Sequence, residues 1–159
     1  MNPNNIRIKS ELWRQTWEGL SERSRGQIES LCIWAGRRTH ESSEVTEVIF
    51  LDGIGGVEGF ALFHRITREA VGEIFAILKD KGLQIIADVH THPEEWVGLS
   101  RTDREHPLEY RIGFVSIVLP HFGRAEHNKS GIGMHRYKGN HQWHELSLSE
   151  KSESLKLED

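Results

Sequence analysis

The chain has 159 residues, 36% hydrophobic and 28% charged, with a formal net charge of -4. That length and balance suit one domain with a sizeable core, and the slight acidity gives no broad basic face of the kind that holds nucleic acid. No apolar run reaches the roughly 20 residues of a membrane span, and the single cysteine, Cys32, excludes an internal disulfide and a cysteine-based zinc site. The stretch Met1-Asn2-Pro3-Asn4-Asn5-Ile6 lacks the charged start and apolar run of a signal peptide, so a cytoplasmic location is expected.

Residues 10–24 are predicted helical. Ser10 can cap, Glu11 falls in the first turn, and Trp13, Trp17 and Leu20 form an apolar stripe. The run from Leu31 to Ala35 reads as a buried strand ending at Gly36, with Glu29 just ahead of it. Cys32 lies inside that run and reads as a small buried residue, not a nucleophile. Glu44 to Leu51 alternates and then turns apolar, as a strand at a sheet margin does. The glycines from Gly53 to Gly56 fit neither the phosphate loop nor the dinucleotide fingerprint and are assigned to a turn. Phe60 to His64 is expected to return as the partner strand, with His64 structural or exposed.

Thr67 can cap a second helix that runs to Lys81 and stops at Gly82, with a broad apolar face. It feeds the β-branched run Leu83 to Val89, read as a buried strand. Ser100 can open a short helix that Pro107 ends or bends. Ile112 to Pro120 is a second apolar strand, expected beside the first. Residues 121–133 read as a polar loop, followed by a hairpin that turns at Lys138-Gly139-Asn140. His141 and His144 face opposite sides of such a strand, which opposes a second metal site. The acidic segment 147–159 is expected to be a disordered tail, although Leu148, Leu155 and Leu157 could form a short docking segment.

The chemistry concentrates in Asp88 to Asp103. On a strand, side chains repeat every two residues, so His90 and His92 point to the same side. Pro93 suits the point where the strand stops. Asp103 follows His92 by eleven residues, and Ser100 precedes Asp103 by three. Two imidazoles, one carboxylate and an open fourth position are the arrangement of a catalytic zinc site. A blander reading stands beside this one. The histidines could be ordinary surface or core residues, and Ser100-x-x-Asp103 fits a helix capping box. The cap and the metal site can both hold, since a cap fixes where Asp103 projects.

His90-x-His92-Pro93 followed by Ser100-x-x-Asp103 resembles the signature of the JAB/MPN metalloprotease family, also called JAMM, without insertion or deletion. The resemblance implies an α/β fold over residues 1–146: a curved mixed β-sheet flanked by helices, cytidine-deaminase-like. It implies one zinc ion held by His90, His92 and Asp103, with Ser100 as the oxyanion donor. The upstream glutamate of the family opens a strand in the pattern Glu-x-x-Gly-x-x-x-Gly. Glu29, seven residues before Gly36, fits it as general base, while Cys32 departs from the first glycine. Glu22, Glu41 and Glu44 are weaker candidates because none opens an apolar strand in that register.

The implied reaction is amide or isopeptide hydrolysis. Catalytic members of the family remove ubiquitin or ubiquitin-like proteins from lysine side chains. The runs Ala87 to Pro93, Asp103 to Pro107 and Val118 to Pro120 are similar to standalone bacterial members. Those accompany ubiquitin-activating and ubiquitin-conjugating homologues in antiphage defence operons, where they release a ubiquitin-like protein or another protein conjugated through its C-terminus. Glu94, Glu95, Trp96 and Val97 would help to form the substrate groove. Two alternatives remain: a non-catalytic MPN-like scaffold, and a hydrolase of the same fold acting on a small amide or carrier-protein conjugate, or in DNA repair. No His-Glu-x-x-His or Gly-x-Ser-x-Gly competes.

Overall fold

Two apolar runs meet at the centre of an eight-stranded sheet in a computed structural model that describes residues 5–159. The first is β2, found after β1 (Ile6–Lys9) and α1 (Ser10–Ser24) and spanning Leu31–Arg38. Then come β3 (Ser43–Phe50), β4 (Val57–Gly59), β5 (His64–Ile66), α2 (Arg68–Lys81) and the second central strand, β6 (Gln84–Thr91). The chain continues through α3 (Arg101–Glu105), β7 (Val115–Leu119), β8 (Gly133–Gly139), β9 (Gln142–Glu145), α4 (Leu148–Ser154) and β10 (Leu155–Glu158). Sheet order is β10-β1-β3-β2-β6-β7-β8-β9. The β10-β1, β1-β3 and β6-β7 pairs are parallel and the others antiparallel, so the sheet is mixed.

The period-2 rule explains why β2 is apolar throughout. Cys32 and Trp34 pack with Trp13, Trp17 and Leu20 of α1 in one core. Leu31, Ile33 and Ala35 pack with Ile74 and Leu78 of α2 in the other. A helix on each face leaves no polar side for this strand. The second helix forms as predicted: Thr67 accepts a hydrogen bond from the Ala70 N–H, and Gly82 closes the end in the left-handed conformation at φ +67°. In α1, Ser10 is the first helical residue and not the cap; Lys9 holds the capping position without a side-chain bond.

Two expectations are corrected. Phe60 to His64 does not return as a partner of β3, because β3 already pairs with β1 on one edge and β2 on the other. Instead β4 and β5 form a separate two-stranded hairpin, and Phe60 to Phe63 connect them. The segment 147–159 is not a disordered tail. Ser147 and Glu150 build a capping box at the start of α4, and β10 pairs in parallel with β1 from Ile6↔Leu155 to Lys9↔Glu158. Leu155 is fully buried there, and the strand covers an edge of β1 that would otherwise expose unpaired backbone.

Candidate metal centre

The β2–β6 ladder brings the upstream glutamate to the histidines. Leu31 pairs with His90, and the Thr91 N–H donates to the Ser30 carbonyl at 3.1 Å, so the register continues to Glu29 beside His92. Glu29, His90 and His92 are all buried. One donor atom from each lies within 4.8 Å of the others. The end of β6 is held by its neighbour: the His92 N–H donates to the Leu119 carbonyl at 2.9 Å, and the Phe122 N–H to the His92 carbonyl at 2.8 Å.

Asp103 arrives from α3. Ser100 caps that helix, its Oγ accepting from the Asp103 N–H at 3.1 Å while its own N–H donates to Asp103 Oδ2 at 3.0 Å. The capping box predicted as an alternative is therefore present, and it aims the carboxylate at the histidines. His90 Nε2 and His92 Nε2 are 3.2 Å apart, and Asp103 Oδ2 lies 3.4 and 3.5 Å from them. Ligands 2.0–2.1 Å from a zinc ion at tetrahedral angles stand about 3.3–3.4 Å apart. The three donors thus have the spacing of one face of a zinc coordination tetrahedron. His92 Nδ1–H donates to the Trp96 carbonyl at 3.1 Å, which leaves the Nε2 lone pair pointing at the other donors. The Trp96 indole also stacks on the His92 ring, with centroids 5.2 Å apart.

The sequence reading missed His64. It is not exposed: β5 places its Nδ1 2.8 Å from Glu29 Oε1 and its Nε2 3.7 Å from Asp103 Oδ1. The signal was weak, because a lone histidine after a glycine-rich turn has no spacing relation to the motif. Burial works against its charged form, but the Glu29 hydrogen bond and the Asp103 charge outweigh this and raise its pKa. Burial likewise works against the Asp103 carboxylate. The His90, His92 and His64 imidazoles overcome it and hold that acid well below the usual carboxylate range.

A cleft of about 280 Å³ is lined by Glu29, Leu62, His92, Pro93, Glu94, Trp96 and Ser100. A second, also about 280 Å³, is lined by His64, Arg65, Ile66, Thr102, Asp103 and His106. Glu95 and Val97 do not line the first cleft; the Val97 carbonyl is 2.9 Å from His135 Nε2, which ties the motif loop to β8. Glu22, Glu41 and Glu44 are exposed and away from this centre. Burial pushes the Cys32 thiol well up, in keeping with an inert core residue. His144 pairs with Glu150 and His141 packs near Tyr110, and no metal-ligating cluster forms around them among the described residues.

Comparison with known proteins bears on the fold. No family model matches the chain. A curated protein named a probable metalloprotease, y4jG of Sinorhizobium fredii, is 24% identical over 120 residues, covering 74% of this chain and 72% of that one. Protein DSY2949 of Desulfitobacterium hafniense superposes with a TM-score of 0.67 at 12% identity, over 97% of this chain and 93% of its own. AF2198 of Archaeoglobus fulgidus, a JAB1/MPN domain protein, gives 0.53 at 16% identity, over 97% and 98%. A JAMM structure described as a metalloprotease-like zinc site in the proteasome and signalosome also gives 0.53, at 15% identity, over 98% and 99%.

Proposed function

We propose, for a chain with the JAB/MPN fold and a JAMM-like ligand triad, that it is a zinc-dependent metallopeptidase that hydrolyses an amide bond. The observation that carries this reading is the convergence of His90 Nε2, His92 Nε2 and Asp103 Oδ2 at 3.2–3.5 Å, with Glu29 buried beside them. The donor set, two imidazoles and a carboxylate, fits zinc. A zinc ion held there supplies Lewis acidity, polarising a carbonyl and lowering the pKa of water from ~16 towards ~7.

The chain's own residues supply the rest. Glu29 accepts the proton of the attacking water and passes it to the departing amine nitrogen as the carbon–nitrogen bond breaks, so no proton is left over. Ser100 Oγ accepts from the helix N–H, and its hydroxyl hydrogen is free to donate into the cleft, towards the oxygen that gains negative charge. Leu62, Pro93 and Trp96 wall the cleft and reduce the water that competes with substrate.

Within that class, the substrate is proposed to be an isopeptide or C-terminal conjugate of a ubiquitin-like protein, in a bacterial conjugation or antiviral defence pathway with ubiquitin-activating and ubiquitin-conjugating homologues as partners. The motif resemblance supports this. The test offers the zinc-loaded protein three substrates: a lysine-linked ubiquitin-like conjugate, a linear fusion and a small amide. Chelator-sensitive cleavage of the first alone supports the isopeptidase reading. Cleavage of the small amide alone points to the small-substrate hydrolase, and cleavage of none leaves a scaffold.

A further inference from the structure

Glu29 is 3% exposed, and its one side-chain hydrogen-bond partner among the described residues is His64. A buried carboxylate with a single partner takes its orientation from that partner. The contact is built from both ends. The Glu29 N–H donates to the Phe60 carbonyl at 2.8 Å, and a side chain at Gly59 would collide with the Glu29 carbonyl, so the β4–β5 hairpin lies against the backbone of Glu29 as well. His64 is on the strand that leaves this hairpin, 15% exposed, its ring tilted against that of His90 with centroids 4.8 Å apart. Its Nδ1–H donates to Glu29 Oε1, which leaves Oε2 as the oxygen able to face water at the histidines. The other ring nitrogen lies 3.7 Å from Asp103 Oδ1, so one imidazole spans the base and the carboxylate of the triad.

We propose that His64 is a positioning residue: its Nδ1–H holds the Glu29 carboxylate in the orientation from which it takes the proton of the attacking water. This role rests on the metallopeptidase reading above. Outer-sphere partners of this kind typically change activity or metal affinity by roughly 10- to 100-fold when removed. Here the effect falls on kcat, because His64 acts on the base and donates nothing to the three ligand atoms.

The experiment uses the full zinc-loaded chain and its His64→Ala, His64→Asn and His64→Gln variants. Asn carries an amide N–H near the place of Nδ1, and Gln carries one near the place of Nε2. His64→Ala is expected to lose roughly 10- to 100-fold in kcat with little change in KM and full zinc content. His64→Asn should recover most of the rate, and His64→Gln should not. Loss of zinc in His64→Ala would show a metal-holding role and overturn the proposal, as would unchanged kcat or equal behaviour of Asn and Gln. A second readout needs no turnover. The proton NMR spectrum of the zinc-loaded protein should contain a downfield His64 Nδ1–H resonance that Glu29→Ala abolishes. A resonance indifferent to Glu29→Ala, or none in the wild type, overturns the positioning role. If that resonance behaves as expected while no amide is cleaved, the peptidase reading fails and the His64–Glu29 contact stands.

Discussion

Leu31 stands opposite His90 in the antiparallel ladder between β2 and β6. Counting back along that register places Glu29 opposite His92, on the face of the sheet where His90 and His92 point. A one-residue slip would turn Glu29 to the other face and separate it from the histidines. The opposite face at this point carries a lock. Ser24, Ser30 and Thr91 are buried together, with Ser24 Oγ 2.6 Å from Ser30 Oγ and the Ser30 N–H donating to Thr91 Oγ1 at 3.0 Å.

Thr91→Val keeps the shape of that residue and removes the oxygen that the Ser30 N–H uses. Leaving such a donor buried and unpaired costs about 1–3 kcal/mol. Urea unfolding of the variant should show a loss in that range, with zinc binding weakened if the register shifts. Unchanged stability would mean that the hydroxyl cluster does not hold the register.

On the proposed function, Ser100→Ala removes two contributions at once. Loss of the cap costs about 0.5–2 kcal/mol of stability, and loss of an oxyanion donor costs roughly 100-fold or more in kcat. Thermal unfolding and turnover measured together separate the two. A stability loss with full turnover would assign Ser100 to capping alone.

The last strand is a structural member, and Leu155 is its buried anchor. Leu155→Ala should destabilise the protein by about 2–5 kcal/mol, as deletion of a buried leucine side chain does. Equilibrium unfolding measures this directly. A change below that range would mean that β10 adds little to the sheet.

The capping box of α4 makes the end of the chain sensitive to acid. The backbone N–H of Ser147, and after it the His144 side chain, pull the Glu150 carboxyl down from 4.5 to about 2. A carboxyl with a depressed folded-state pKa contributes stability that is complete above its unfolded value and is lost as pH falls through the folded one. Amide exchange of Leu155 to Glu158 should therefore quicken as pH falls from 4.5 towards 2, beyond the intrinsic pH effect, and Glu150→Gln should remove that dependence. Identical profiles for the two proteins would contradict it.

The convergence of His90, His92 and Asp103 was legible because these residues are local. A period of two aligns His90 with His92, and a helix cap three residues long places Asp103. The central strands were legible because each is buried on both sides and so apolar at every position. His64 was not legible, since it reaches Glu29 through a hairpin whose pairing carries no hydrophobic alternation. β10 was missed for a related reason. Only Leu155 in its four residues is buried, and its order comes from pairing with β1, some 150 residues away in the chain. No helix among the described residues is long and apolar enough to cross a membrane.

Zinc content per chain, measured by elemental analysis on the wild type beside Asp103→Ala, tests the metal centre most directly. The donor spacing predicts about one zinc in the wild type and a large loss in the variant. Equal zinc in both, or none in either when zinc is supplied, would contradict the ligand assignment and return Ser100 and Asp103 to the role of a helix cap.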